Sequence, residues 1–185
     1  MNIISTQLPG VVILEPEIFG DSRGYFFESW NKEKYEQNEI HVTFIQDNES
    51  LSRFGVLRGL HYQAAPYTQA KLVRVIKGAV LDVAVDIRHG SPTFGKHVAV
   101  ELNEQNKRQI FVPRGFAHGF AVLSEEAIFA YKCDNRYMPS HERGIAYNDP
   151  ALGIDWRITP EQAILSDKDR RNPMLAEAEA LSCEQ

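Results

Sequence analysis

Residues 109–122 read Q-I-F-V-P-R-G-F-A-H-G-F-A-V, an apolar, β-rich run interrupted once, at Pro113-Arg114-Gly115. Proline cannot donate to a strand ladder and glycine supplies turn conformations. The segment therefore predicts a strand up to Val112, a break, and a second strand from Phe116. Side chains alternate between faces along a strand, which groups His118, Phe120 and Val122. Similar runs lie on either side. Downstream, A-I-F-A-Y-K-C (127–133) puts Phe129, Tyr131 and Cys133 on one face. Upstream, K-L-V-R-V-I-K (71–77) and A-V-L-D-V-A-V-D-I-R (79–88) are separated by Gly78, which predicts a hairpin turn. Leu81, Val83, Val85 and Ile87 form one face of the second run. Val80, Asp82, Ala84 and Asp86 form the other, a pattern that suits a ligand-lined interior or solvent, solvent being the commoner case.

The run V-L-R-G-L-H-Y-Q (56–63) sets an arginine and a histidine in an apolar strand. Strict alternation gives Leu57, Gly59, His61 and Gln63 one face and Arg58, Leu60 and Tyr62 the other. Glycine inside a strand marks bulges and close approaches, and a bulge at Gly59 would bring Arg58 and His61 to the same side. That histidine serves either chemistry or one structural hydrogen bond. Residues 6–17 contain L-P-G-V-V-I-L-E-P, an edge or entry strand bracketed by prolines. Gly20-Asp21-Ser22-Arg23-Gly24 has turn chemistry, and an aromatic strand follows over 25–30. Arg23 in that turn reads as a solvated charge or as a phosphate clamp. Residues 31–38 predict one short helix, and 41–51 a strand ending in Gln46-Asp47-Asn48. Residues 96–102 form a further strand after a loop at 90–95. Beyond Tyr137 the chain turns to loops, and 174–182, M-L-A-E-A-E-A-L-S, has the composition of a terminal helix. Many short strands with one short helix and no βαβ rhythm argue an antiparallel sandwich or barrel.

The 185 residues suit a single domain, 1–185, and a compact chain of this size buries roughly 70% of the surface it exposes when unfolded. Hydrophobic content of 43% is ordinary for a globular protein, and no apolar run approaches the ~20 residues that span a bilayer. The start, M-N-I-I-S-T-Q-L-P-G, lacks the features of a secretory signal, so the expected location is the cytoplasm. Cys133 and Cys183 have neither metal spacing nor a disulfide framework and are expected to be free thiols. A net charge of −5 excludes the diffuse basic footprint of a nucleic-acid binder, so any anionic ligand is held by local arginines and lysines.

P-R-G-F-A-H (113–118) fits the P-x-G-x-x-H half of the cupin pattern. The resemblance implies a mainly β fold, a double-stranded β-helix or jelly-roll barrel with a few short peripheral helices. Metal-binding cupins add an H-x-H and a later Glu from an earlier strand pair, whereas this chain has a lone histidine in His61-Tyr62-Gln63. A bound metal normally needs three or four ligands, so no metal is expected and the histidines are left for proton work.

Six motifs occur together and in order: R-G-L-H-Y-Q (58–63), K-L-V-R (71–74), D-V-A-V-D-I-R (82–88), S-P-T-F-G (91–95), P-R-G-F-A-H-G-F (113–120) and L-S-D-K-D (165–169). With this set the chain resembles the dTDP-4-dehydrorhamnose 3,5-epimerases over nearly its full length. The resemblance implies a homodimer with exchanged N-terminal strands and no cofactor. Its implied reaction epimerises dTDP-4-dehydro-6-deoxy-D-glucose at C3 and C5 to dTDP-4-dehydro-L-rhamnose, toward dTDP-L-rhamnose for cell-surface polysaccharide. Both carbons flank the C4 ketone. The chemistry needs a base on one face, a donor for the enolate oxygen, and an acid on the other face.

By resemblance His61 is the base, a residue type that titrates near neutrality, and Asp169 is the carboxylate that orients it. Lys71 matches the cation beside the C4 oxygen. Tyr131 matches the acid on the far face, and Tyr137 a second tyrosine near the sugar. Without the family, both tyrosines read as barrel packing with the hydroxyl bonded to backbone. His118 and Asp82 form a second polar pair that binds and orients. Arg23, Glu28, Gln46, Asp47, Asn48, Arg58, Glu142 and Lys168 fall where the family binds substrate, with Phe19, Phe26 and Tyr137 as stacking candidates, core packing being the commoner use of each. Two stretches depart from the pattern, Y-Q-A-A-P-Y-T-Q-A (62–70) and Asp134-Asn135-Arg136. Both touch the rim of the sugar pocket. They keep open a single-position epimerase of a related 4-keto sugar nucleotide, beside a non-catalytic cupin binding module and a metal-dependent cupin oxygenase.

Overall fold

The break at Pro113-Arg114-Gly115 is a corner at which the chain passes from one β-sheet to another. In the computed structural model, which describes residues 1–179 and 181–182, the strands in chain order are β1 (Asn2–Ser5), β2 (Val12–Glu15), β3 (Ile18–Asp21), β4 (Gly24–Phe27), β5 (Gln46–Arg53), β6 (Leu57–Gln63), β7 (Lys71–Lys77), β8 (Ala79–Asp86), β9 (Arg88–His89), β10 (His97–Asn103), β11 (Gln109–Val112), β12 (Phe116–Val122), β13 (Glu126–Cys133), β14 (Glu142–Gly144) and β15 (Leu181–Ser182). One helix, α1 (Lys32–Glu36), follows β4, its start capped by the Asn31 side chain accepting from the Lys34 N–H. A six-stranded sheet has the order β1-β2-β11-β7-β13-β5, and a five-stranded sheet the order β10-β8-β12-β6-β14. From β5 to β8 and again from β10 to β14 the chain alternates between the two sheets. That alternation is the double-stranded β-helix, or jelly roll, expected from the cupin resemblance.

The inner faces enclose a core that includes Val73, Val75, Val80, Ala84, Ile110, Phe120 and Phe129. Outside the five-stranded sheet, Leu57, Leu60, Leu81 and Val83 are covered by Ile145, Leu152 and Trp156 of the C-terminal segment. Outside the six-stranded sheet, Leu14, Leu72 and Phe111 are covered by Tyr35 and Ile40, with Trp30, Val42 and Phe44 packed against them. β11 and β12 are thus buried on both faces.

Several expectations are corrected. β2 is second from its sheet edge, because β1 pairs along its free side over Asn2↔Glu15 to Ser5↔Val12 and both prolines lie beyond its ends. Gly78 is not a hairpin turn, since β7 and β8 enter different sheets. Its φ of +77° permits that corner. The Val80, Asp82, Ala84, Asp86 face points inward rather than to solvent, and all four residues are buried; β8 ends at Asp86, with Arg88 in β9. The strand expected over 41–51 begins only at Gln46, because Val42 and Phe44 leave the ladder to cover the outer apolar cluster. The aromatic strand expected over 25–30 ends at Phe27, and the Trp30 ring packs against Tyr35. The terminal helix is replaced by a 3-10 turn at Leu175–Glu177 and by β15, which pairs parallel with β9. Leu175, Ala178 and Leu181 pack on the five-stranded sheet, and that burial overrides the helix propensity of Ala and Glu. Ala180, within that stretch, lies outside the described residues, as does Cys183. Cys133 is free and buried.

Candidate active site

β6 carries the first site residue, and a bulge decides where its side chains point. Its partner β12 pairs His118 with His61 but Phe120 with Arg58, so Gly59 and Leu60 together oppose Gly119. Gly59 has φ +132°, and a Cβ there would meet the Gly119 Cα at 2.6 Å; only glycine fits this approach. The extra residue restarts the alternation. Arg58, His61 and Gln63 face the interior, while Leu57, Leu60 and Tyr62 join the outer cluster. The bulge inferred at Gly59 is therefore present, and Leu57 moves to the face opposite the one strict alternation gives it.

Registry extends the site across both walls. On the five-stranded sheet, Asp82 of β8, His118 of β12, His61 of β6 and Glu142 of β14 stand on four adjacent strands, with Glu142 opposite Gln63. On the facing sheet, Cys133 is paired with Lys71 and with Gln46, and Tyr131 with Val73 and Asn48. Paired antiparallel residues share a face. Val73 lies in the inner core, so Lys71, Tyr131, Cys133, Gln46 and Asn48 all face the interior. His61 and Tyr131 thus stand on opposite walls.

His61 Nε2 lies 2.5 Å from Asp169 Oδ1. Asp169 opens a 3-10 turn, Asp169–Arg171, and is buried. Ser166 Oγ donates to Asp169 Oδ2 at 2.7 Å and accepts the Asp169 N–H at 3.1 Å, so the carboxylate is held from both ends. An ionised carboxylate only accepts, which assigns the proton to Nε2 and leaves Nδ1 as the basic nitrogen. Burial pushes the Asp169 carboxyl up, but the His61 hydrogen bond and charge, with the Ser166 hydroxyl, outweigh burial and hold it below the ordinary range. His118 Nε2 likewise meets both oxygens of the fully buried Asp82, at 3.0 and 2.9 Å.

Lys71 has no ion-pair partner among the described residues. Its ammonium lies 5.8 Å from the centre of the Tyr131 ring. Burial lowers its pKa, opposed by the attraction of Cys133, Asp82 and Glu142. Burial raises the Tyr131 phenol above its ordinary value, and among the described residues its hydroxyl makes no hydrogen bond. The packing alternative, a hydroxyl bonded to backbone, is not what the structure shows. At the rim Tyr137 donates to Glu142 Oε2 at 2.6 Å, and Lys168 pairs with the other Glu142 oxygen. Arg58 Nε donates to Ser52 Oγ at 3.2 Å.

Three predicted residues lie apart within the single chain. Arg23 tops the β3–β4 hairpin, 88% exposed and paired with Asp21. Glu28 is bonded to Lys34 and Asn31, and Asp47 faces outward onto Lys132. Sequence reasoning missed Ser166 and gave Cys133 no place in the cavity. The signal for Ser166 was its position three residues before Asp169, the spacing at which a serine bonds a following backbone N–H.

Among the described residues no group of three or more His, Cys, Asp or Glu has a metal-binding arrangement, and no helix is long and apolar enough to cross a membrane. A family model described as dTDP-4-dehydrorhamnose 3,5-epimerase matches residues 5–177. The protein of that name from Shigella flexneri is 52% identical over 180 residues, covering 97% of this chain and 98% of the relative. Its counterpart from Pseudomonas aeruginosa is 53% identical over 180 residues, covering 97% and 98%. The crystal structure of the dTDP-6-deoxy-D-glucose-3,5-epimerase of Legionella pneumophila, in complex with dTDP-4-keto-L-rhamnose, has a TM-score of 0.95 and 51% identity, and the match covers 100% of this chain and 99% of that one. Fold, motif order and these matches agree: the chain belongs to the dTDP-4-dehydrorhamnose 3,5-epimerase family.

Proposed function

We propose that the protein epimerises dTDP-4-dehydro-6-deoxy-D-glucose at C3 and C5 to dTDP-4-dehydro-L-rhamnose, in the formation of dTDP-L-rhamnose. The observation that carries this reading is the His61–Asp169 pair facing Tyr131 across the cavity. His61 Nδ1 takes the proton from the carbon beside the ketone. The C–H electrons form the carbon–carbon double bond and the C4 oxygen becomes an enolate. Lys71 stabilises that negative charge, and a donor placed for it is worth about 3–4 kcal/mol. The enolate then collapses as Tyr131 gives its hydroxyl proton to the opposite face, inverting the centre. His61 ends with an added proton and Tyr131 with one fewer, and solvent restores both. His118, held by Asp82, and Gln46, Asn48 and Arg58 line the walls, and Tyr137, Glu142 and Lys168 form the rim against the nucleotide-linked sugar.

A second copy completes the site in this reading. Phe19, Tyr25 and Phe26 on the β3–β4 hairpin are 56%, 59% and 68% exposed, an arrangement that a soluble monomer rarely presents. β5 is a sheet edge with an unpaired side. A homodimer exchanging N-terminal strands covers both features and carries Arg23, with Phe19 and Phe26, to the partner's nucleotide. Proton NMR of the 4-keto sugar nucleotide with the protein in heavy water tests the reaction. Deuterium appearing at both C3 and C5 is expected; exchange at one carbon makes it a single-position epimerase, and exchange at neither makes it a binding protein.

A further inference from the structure

Gln63 follows His61 by two residues on the same inner face, yet it is 4% exposed and spends its whole amide on backbone. Its Nε2 donates to the Tyr67 carbonyl at 2.6 Å and to the Arg136 carbonyl at 3.1 Å, and its Oε1 accepts the Met138 N–H at 2.6 Å. Two carbonyls and one N–H admit only this orientation of the amide. Both of its N–H groups and its oxygen are engaged in place, so the side chain is not arranged as a substrate contact.

Arg136 and Met138 flank Tyr137. The amide therefore grips the backbone on either side of that tyrosine, while Glu142, the residue opposite Gln63 in the β6–β14 register, accepts from the Tyr137 hydroxyl. A second stitch runs beside the first. Asn135 Nδ2 donates to the Pro66 and Thr68 carbonyls at 3.1 and 3.2 Å, and Gln69 Nε2 donates to the Asn135 carbonyl at 2.7 Å. Without these bonds Tyr137 would be a half-exposed side chain on a loop after β13, the kind of segment that is ordinarily mobile.

We infer that Gln63 is a positioning residue for substrate binding, acting through Tyr137 by clamping the 64–70 and 134–138 loops into one fixed rim. The inference rests on the rim role of Tyr137 given above. Replacing the amide by a thioether of similar size, Gln63→Met, removes the grip without emptying the space. It leaves the ring free to sample other positions, which weakens binding of the substrate more than the proton transfers deeper in the barrel.

The test is steady-state kinetics on the 4-keto sugar nucleotide for wild type, Gln63→Met, Tyr137→Ala and the double variant, with thermal melts of each. Gln63→Met is expected to raise KM about tenfold, the loss of roughly one net hydrogen bond's worth of positioning, while kcat changes less than about threefold. In the Tyr137→Ala background the same substitution adds no further rise, the non-additivity expected of residues acting as one unit. A wild-type KM in folded Gln63→Met, or an equal rise in both backgrounds, overturns the inference. A wild-type KM in Tyr137→Ala alone removes the rim role, and with it the inference, and is read separately on that variant. If Gln63→Met does not fold, Asn135→Ala, which cuts the second stitch from the opposite loop, takes its place with the same expected and contrary results.

Discussion

His61 and Asp169 are 108 positions apart in the chain and 2.5 Å apart in the fold, and the two residues facing them across the cavity differ in how they meet charge. Burial lowers the Lys71 pKa and raises that of Tyr131. Lys71 therefore loses its proton below the ordinary lysine value of 10.5, while Tyr131 keeps its proton above the ordinary tyrosine value of 10.0. A cation needed at the enolate gives activity that falls as pH rises through the lowered Lys71 pKa. Lys71→Met is expected to reduce kcat by about 10²–10³-fold and to erase that falling limb from the pH profile. A limb of unchanged position in the variant would assign it to another group.

At the scale of elements, the bulge at Gly59 and the corner at Gly78 do what hydrophobic pattern alone does not specify, turning one strand's histidine inward and sending consecutive strands to different sheets. Asp86 fixes the next junction. Its carboxylate, fully buried, accepts from Arg88, Ser91 and Thr93. Burial pushes the group up, but those bonds prevail and bring it to about 2. Because the folded value lies below the ordinary one, this stabilisation is complete above the ordinary carboxylate value and is lost as pH falls through the folded one. Asp86→Asn is expected to cost about 2 kcal/mol at neutral pH. Urea melts should show the gap to wild type narrowing as pH falls from 3.8 to about 2; a gap that does not change with pH would place the loss in packing instead.

For the whole molecule, the sandwich was legible where local chemistry is decisive. Pro113-Arg114-Gly115 marks a corner, Gly59 a bulge, and the alternation in 79–88 a strand with two unlike faces. Which sheet each strand joins was not legible, because alternation reports that a face is buried and not what buries it. For the same reason the carboxylate face of β8 left solvent as the commoner reading although the opposite sheet covers it, and the Ala- and Glu-rich 174–182 read as helix although Leu175, Ala178 and Leu181 are packed on the sheet below. In the site, residue types at motif positions were readable and Ser166 had a signal in its spacing from Asp169, whereas Gln63 acts through bonds to distant backbone that no spacing displays. The exposed hairpin belongs to this scale as well. Sedimentation is expected to show a dimer, Phe26→Asp to give monomers, and Arg23→Ala to raise KM about tenfold or more with the dimer intact, the worth of a hydrogen bond to a charged group; a monomeric wild type would refute the exchange.

The measurement closest to the central claim follows deuterium from heavy water into the sugar with His61→Ala and Tyr131→Phe side by side. The two-wall account predicts no deuterium at C3 or C5 with His61→Ala, and with Tyr131→Phe exchange that continues while little inverted product forms. Wild-type exchange in His61→Ala, or a normal yield of inverted product in Tyr131→Phe, would contradict it.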